Sequence, residues 1–435
     1  MSLYFSVSPL VSSNSLSFNP EWIERLFSRA GVVWIGFSGG VDSHVLLHAL
    51  TRVLSPEQKS RLAAIHVHHG LSMNADDWLT HCDSVCQDLG VRFVARRVLL
   101  ASQASIEDAA RKARYRAFEE VLAPQDVLLM AHHSGDQAET VLFRLLRGTG
   151  GKGLAGIPQE RDLGSALLIR PLLDTSKDAI TAYAKKHGLH WIEDESNGNE
   201  KFTRNFLRHR IIPTLETRFP QMEHSIASTA QRLATDYSML ADFAAKQLLD
   251  WCSPAGGLIL SNFRTLSSDK RLFWLRHFLQ ERGVSLSHAQ LESLDFMVFS
   301  DLDKQPEFKF SSGRIMRHQG AIYVLPKDKE VTLGLLALGQ IFERDFDQVL
   351  VESDGHFSLR ERPQGVSILM QNGHTRKLKK WFNDQKVPSW WREHLPYLYL
   401  EDELVAIGSL WRHPNYQSIK FSWFLNETLP FPLCD

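Results

Sequence analysis

The chain has little of what would mark a secreted, membrane or strongly charged protein. Its 435 residues include only four cysteines, Cys82, Cys86, Cys252 and Cys434, none in a C-x-x-C pair. So few and so scattered, they exclude a disulfide scaffold and fit a reducing compartment. No apolar run approaches the ~20 residues of a membrane-spanning helix. The first basic residue is Arg25, so the charged start of a signal or transit peptide is missing. Charge of either sign is not in excess: 49 Lys and Arg face 50 Asp and Glu, for a net charge of −1. Nothing global therefore announces a nucleic-acid partner, and local clusters must do so. The expectation is a soluble, cytoplasmic globular protein with no membrane partner. At roughly 150 residues per domain, it has two or three domains. The serine-rich stretch up to Pro20 reads as a poorly ordered lead-in.

What is present begins at Val32. The apolar run Val32-Val33-Trp34-Ile35-Gly36-Phe37 reads as a buried strand. It passes through Ser38-Gly39-Gly40-Val41-Asp42-Ser43 into the amphipathic helix that starts His44-Val45-Leu46-Leu47. A strand-to-helix turn of this kind offers backbone N–H groups and a positive helix end to an anion. Gly39 and Gly40 permit positive φ and close approach of a ligand, and Ser38 and Ser43 bring hydroxyl donors. Asp42 is out of place beside a phosphate unless a cation lies between them. No lysine follows Gly40, so this is not a Walker A loop, and no G-x-G-x-x-G is present here. The run S-G-G-x-D-S resembles the PP-loop of the ATP-pyrophosphatase superfamily. That resemblance implies an enzyme that activates a carbonyl oxygen with AMP and releases pyrophosphate.

The N-terminal half alternates strand and helix patterns. Strands are expected at Leu62–His68, Val91–Leu100, Asp126–Ala131 and Leu167–Leu172, and helices at Ile106–Leu122, Asp136–Arg147 and Ser176–His187. Such alternation predicts an α/β domain with a parallel, doubly wound sheet. Its ligands sit beyond the carboxyl ends of the strands. The segments 38–43, 66–70 and 132–136 all lie at such ends and should converge on one crevice.

In the third of these segments, Asp136 and Glu139 are three apart at a helix start, so both carboxylates can face one way. Acidic residues there also complement the helix dipole with no other role. In the functional reading they join Asp42 in holding Mg²⁺ against the phosphates of ATP. His66, His68, His69, His132 and His133 raise the question of zinc. Adjacent histidines on a strand point to opposite faces and no sulfur ligand is near, which argues against it. His132 is assigned instead to the neighbourhood of the bound nucleotide. Gly148-Thr149-Gly150-Gly151-Lys152-Gly153 fails the Walker spacing and reads as a mobile loop. Between 201 and 218 there are five basic residues and one acid. Arg204 and Arg208 in this stretch could line a solvated helix face or steady a charged intermediate.

Together these pieces resemble bacterial tRNA(Ile)-lysidine synthases. The matching segments are 38–43, 66–71, Glu107-Asp108-Ala109-Ala110-Arg111 through Arg114-Tyr115, Asp136–Arg147 with Gly148, and Arg170-Pro171-Leu172-Leu173. Asp194-Glu195-Ser196-Asn197 with Arg204-Asn205 and Arg208 completes the set. One position departs: the family has paired aspartates before Gln-x-Glu-Thr, and here the first is Gly135. The resemblance implies adenylation of the C2 carbonyl of a wobble cytidine in the CAU anticodon of tRNA(Ile), followed by attack of the ε-amine of free L-lysine. It implies ATP and Mg²⁺ as cofactors. It gives residues 38–43 to phosphate binding and Asp42, Asp136, Glu139, Arg204 and Arg208 to catalysis. The rivals are another PP-loop tRNA-modifying enzyme and a non-catalytic tRNA-binding relative. PP-loop thiolases of this type need paired cysteines, and glutamine-dependent synthetases need an amidotransferase; neither is visible.

Beyond a hinge expected at Pro213–Pro220, the helical patterns at 221–251, 270–282 and 286–299 and a hairpin at 308–325 follow. Residues 360–386 then hold seven basic groups and two acids: Arg360, Arg362, Arg376, Lys377, Lys379, Lys380 and Lys386 against Glu361 and Asp384. Trp381, Phe382, Trp390 and Trp391 are interleaved. Basic groups among aromatics suit phosphate contacts and base stacking, although the same pattern describes a charged rim over an aromatic core. The segment resembles the family's C-terminal tRNA-binding domain. The expected organisation is a catalytic domain at 1–214, a mainly helical middle domain at 215–329, and a small α+β tRNA-binding domain at 330–435, with Arg360, Arg362, Lys377, Lys379 and Lys380 on the tRNA. A homodimer is compatible with the sequence, but nothing in it argues for one.

Overall fold

The computed structural model describes residues 10–12, 16–70, 72, 74–98, 106–193, 198, 203–299, 306–327 and 330–425. Asp194–Asn197, Leu71, Leu99, Leu100 and Cys434 lie outside the described residues. The chain divides into two compact units, Met1–Met239 and Leu240–Asp435.

The first unit is built on a six-stranded sheet. Its elements are α1 (Pro20–Arg29), β1 (Val33–Gly36), α2 (Val41–Thr51), β2 (Leu62–His68), α3 (Ala75–Leu89), β3 (Arg92–Arg97) and α4 (Ile106–Val121). They continue with β4 (Val127–Leu129), α5 (Ser134–Leu146), β5 (Glu160–Leu163), β6 (Ala166–Ile169) and α6 (Lys177–Lys186). The strand order is β3-β2-β1-β4-β6-β5. All neighbours are parallel except the β5–β6 hairpin at the edge. That antiparallel strand, Glu-Arg-Asp-Leu, was not visible in the sequence, because it is too polar to stand out by hydrophobic pattern.

Alternation along the strands builds two cores, one on each face of the sheet. Val33 and Ile35 of β1, Leu62 and Ala64 of β2, and Val127 and Leu129 of β4 join one. Trp34, Ala63, Ile65 and Leu128 join the other. With both faces covered, these strands read as continuous apolar runs. Chain order reverses at β1, which has β2 on one side and β4 on the other. A crevice therefore opens beyond the carboxyl ends of β1 and β4.

Asp126 fastens the opposite end of these two strands. Its buried carboxylate accepts from the Val32 N–H at 2.8 Å, the Trp34 indole N–H at 2.9 Å and the Ala123 N–H at 3.0 Å. Asp126→Ala leaves the buried Trp34 indole N–H and two part-buried backbone N–H groups without their acceptor and is expected to cost about 2 kcal/mol of stability. Chemical denaturation reads this directly, and a loss under about 1 kcal/mol would contradict the role.

Three expectations are corrected. Part of the serine-rich lead-in belongs to the fold: Leu10–Ser12 pairs with Ser17–Phe18, and Leu10, Leu16 and Phe18 are buried. Asn19 then caps α1, accepting from the Glu21 N–H. The stretch read as a hinge is helical at Ile212–Arg218, and it continues Thr203–Phe206 through a π-wound segment, Leu207–Ile211. Pro213 has no N–H to give the carbonyl of His209, and its ring crowds that carbonyl, which accounts for the local widening. The glycine run read as a mobile loop forms one helical turn, Gly151–Leu154. Arg144 pins it by donating to the carbonyls of Gly153 and Gly156.

The second unit has a helical part and a strand-rich part. Helices α8 (Ser268–Gln280) and α9 (His288–Phe299) enclose Phe263, Leu275, Phe278 and Leu294. The expected hairpin is a three-stranded meander, Glu307–Phe310, Gly313–His318 and Ala321–Pro326, with turns at 311–312 and at Gln319-Gly320. At the second turn Gln319 and Gly320 both have positive φ, 47° and 77°, as a tight hairpin turn requires. Beyond it lie antiparallel sheets of five and three strands. Trp381, Phe382, Trp390 and Trp391 are buried together in the core, so none of the four is presented for base stacking. Among the described residues, no helix is long and apolar enough to cross a membrane.

Candidate active site

The turn after β1 is held open by its own side chains. Ser43 Oγ accepts from the Ser38 N–H at 3.2 Å and donates to the Gly40 carbonyl at 3.0 Å. The Gly40 N–H reaches Ser38 Oγ at 3.3 Å. Gly39 has φ +85°, and a Cβ there would lie 2.9 Å from Ile192 Cδ1 and 3.1 Å from Cys82 Sγ. Conformation and space both require glycine at 39. Gly40 differs: its φ is −73°, and it caps α2 without any side-chain hydrogen bond. Its lack of a side chain leaves the N-terminal N–H groups of α2, beginning at Val41, uncovered. The Ile192 N–H donates to the Gly39 carbonyl at 3.0 Å and steadies the turn from behind.

Asp42 projects from the first turn of α2. Lys177 Nζ, from the first turn of α6, donates to its Oδ1 at 2.5 Å. His133 Nε2 lies 4.0 Å from the same oxygen and 3.6 Å from Asp136 Oδ2. The His133 N–H donates to Asp136 Oδ2 at 3.0 Å, and His133 Nδ1 accepts from the Gly135 N–H at 3.1 Å. With Nδ1 an acceptor, Nε2 carries the imidazole proton and faces the two aspartates. Arg208, from the π-wound segment, spans Asp136 Oδ1 at 3.3 Å and Glu139 Oε1 at 2.7 Å. A π turn rotates side chains relative to α geometry and often marks functional positions. Arg204, one turn earlier, stacks over the Phe143 ring at 5.8 Å and adds positive charge near Glu139.

The two acids of α5 have opposite tendencies. Burial alone would lift the Asp136 carboxyl, but His133, His132, the His133 N–H and Arg208 outweigh it and hold it below its ordinary value. Burial pushes Glu139 up to about 7; Arg208 opposes the shift and Asp136 reinforces it. Glu139 therefore lies in the range where a carboxyl can exchange its proton near neutrality. Burial pushes His132 down to about 4, against the pull of the Asp136 carboxylate. His132 Nδ1 accepts from Arg170 Nε at 3.2 Å.

The crevice thus gathers Asp42, Asp136, Glu139, Arg204, Arg208 and His132 beside the 38–43 turn. Lys177, His133 and Arg170 also belong to it, and no signal in the sequence pointed to Lys177. At Gly135 the missing side chain has a physical counterpart. A Cβ there would lie 2.9 Å from His133 Cε1 and 3.2 Å from Glu223 Oε1, and Ser134 Oγ donates to Glu223 Oε2 at 3.2 Å. Among the described residues, no group of three or more His, Cys, Asp or Glu side chains is arranged as a metal site. The carboxylates are instead countered by Lys177 and Arg208.

In the second unit, Lys377, Lys379 and Lys380 are exposed on a short strand and the helix Leu378–Asp384. Arg360 is paired with Asp402 over the Tyr399 ring, and Arg362 with Glu393 over the Phe382 ring.

Three family models match the chain: a PP-loop domain over residues 17–215, a TilS substrate binding domain over 258–323 and a TilS substrate C-terminal domain over 357–421. A tRNA(Ile)-lysidine synthase of Pseudomonas syringae is 38% identical over 88% of this chain and 89% of its own length. One of Legionella pneumophila is 32% identical over 89% of this chain and 93% of its own. Among solved structures, a U34-tRNA thiolase from Methanococcus maripaludis aligns at 19% identity with a TM-score of 0.40, over 48% of this chain and 77% of its own, too loose a likeness to weigh. With relatives at this identity matched along nearly their whole length, the chain belongs to the tRNA(Ile)-lysidine synthase family.

Proposed function

We propose that the chain is itself a tRNA(Ile)-lysidine synthase, an ATP-dependent carbon–nitrogen ligase acting in the cytoplasm. The C2 carbonyl oxygen of the wobble cytidine attacks the α-phosphorus of ATP, and pyrophosphate leaves with the bonding electrons. The ε-amine of free lysine then adds at C2, the C2–O bond breaks, AMP departs, and the amine proton passes to a base. The observation that carries this reading is one crevice in which an uncapped helix N-terminus, a cation on Asp42 and the buried Glu139 carboxyl against Arg208 lie together. The 38–43 turn takes the phosphates. Asp42 and Asp136 organise the activation step, Glu139 receives the amine proton, and Arg204 and Arg208 steady the charged intermediate.

The donor set suits Mg²⁺, which takes one or two carboxylates plus phosphate oxygens. Of Asp42, Asp136 and Glu139, the two aspartates would hold it once Lys177 turned toward substrate, which leaves Glu139 for the amine proton. When bound, the ion would neutralise phosphate charge. Omitting one substrate at a time tests the whole reading: pyrophosphate release should need ATP and tRNA, and AMP release should also need lysine.

We assign residues 1–214 to catalysis, 215–329 to a middle domain and 330–435 to tRNA binding. Lys377, Lys379 and Lys380 carry the first phosphate contacts; Arg360 and Arg362 join by exchanging their carboxylate partners for phosphates. Replacing the three lysines with alanine should weaken tRNA binding and lower the slope of log affinity against log salt by roughly 2 to 3. An unchanged slope in a titration across salt concentrations would remove this assignment.

A further inference from the structure

The 38–43 turn has no lysine of its own, yet a lysine is present in the crevice. Lys177 is the first residue of α6 and comes from 135 positions further along the chain. Its backbone is tightly fixed. Ser176 caps α6 by accepting from the Ala179 N–H at 3.2 Å. Thr175, fully buried, gives its carbonyl to the Ser134 N–H at 2.9 Å, which ties this corner to the start of α5. A lysine in the first turn of a helix opposes the helix dipole. Nothing within α6 offsets that except Asp178, whereas Asp42 receives the ammonium directly. The Lys177 side chain is 43% exposed and that of Asp42 30%, so the pair faces the open crevice and is not sealed in the core. A phosphate at the N-terminus of α2 would approach Asp42 closely, and a cation between the two is an electrostatic necessity.

We infer that Lys177 is a further catalytic residue: its ammonium, aimed by Asp42, contacts the β- and γ-phosphates of ATP and stabilises the departing pyrophosphate. This rests on the ligase reading above. Lys177 does from α6 what the lysine of a Walker loop does from within the loop, as a compact point charge on phosphate. It forms no covalent bond. In adenylation the bond between the α-phosphorus and the bridging oxygen breaks, the electron pair goes to pyrophosphate, and the ammonium meets the charge that develops there. Asp42 acquires a second role, because it holds the ammonium in place before substrate arrives.

The test uses the full chain and two kinds of readout. Binding of inorganic pyrophosphate and of AMP is measured by calorimetry for the wild type, Lys177→Ala and Lys177→Arg, with thermal melts as the check on folding. Pyrophosphate should bind at least tenfold more weakly to Lys177→Ala, AMP equally well, and Lys177→Arg should recover most of the difference. In turnover, Lys177→Ala should lower kcat for pyrophosphate release about a hundredfold. Unchanged pyrophosphate binding overturns the inference, as does an equal weakening of AMP and pyrophosphate. A wild type that binds pyrophosphate through Lys177 but never releases AMP in response to lysine would refute the ligase reading and leave this one standing.

Discussion

Asp42→Ala is expected to reduce pyrophosphate release from ATP by about a hundred- to a thousandfold, while tRNA affinity stays within about twofold. The size follows from what the carboxylate touches. It holds Lys177 at 2.5 Å, faces His133 Nε2 at 4.0 Å and lies in the first turn of the helix proposed to receive the phosphates. Its removal frees the ammonium and takes away the acid nearest the leaving group, a loss comparable to deleting a fixed transition-state contact. Stability should hardly change, because Asp42 and Lys177 are both partly exposed and such pairs contribute at most about 1 kcal/mol. Rates and filter binding on the same preparation check the prediction. Parallel loss of activity and tRNA binding would mean that Asp42 serves the fold and not the chemistry.

Arg208→Ala should cost about a hundredfold in AMP release and move the rate profile to higher pH. Burial holds the Glu139 carboxyl up at about 7 even with the Arg208 guanidinium 2.7 Å away and pulling it down. Without that charge the carboxyl rises further, and the base form needed to take the amine proton appears only at more alkaline pH. Stability carries the same group with a definite sign. Unfolded, Glu139 has its ordinary value of 4.5; folded, it holds its proton up to about 7. Its contribution is fully present below about 4.5 and is lost as pH rises toward 7. Glu139→Gln should therefore flatten that part of the stability curve and also abolish the ionisation in the rate profile. A profile that stays in place in Arg208→Ala would show that Glu139 is not the group being titrated.

The readable parts of this protein were those governed by local rules. The 38–43 turn announced itself because its glycine, hydroxyl and carboxylate pattern has few other uses, and Gly39 does take the positive φ that the pattern implied. The parallel sheet was legible because β1, β2 and β4 are apolar on both faces. The helix expected at Ser176–His187 is α6, Lys177–Lys186, with Ser176 as its cap. What escaped were pairings across long sequence distances. Lys177 is one basic residue among 49 until the fold sets it on Asp42. Glu223 gains a place near Gly135 only because the start of α7 (Met222–Trp251) lies against the start of α5. Trp390 and Trp391 looked usable for stacking because composition does not say which way a ring faces, whereas Trp381 and Phe382 already read as core. Leu16 and Phe18 were lost among serines, although two apolar residues are enough to anchor a short strand pair.

The most direct measurement is incorporation of isotope-labelled lysine into tRNA(Ile) bearing a CAU anticodon, with ATP present, by this chain alone. The expected result is one lysine covalently joined to the wobble cytidine, with one AMP and one pyrophosphate released for each lysine incorporated. AMP release that proceeds equally without lysine, with no label in the tRNA, would contradict it.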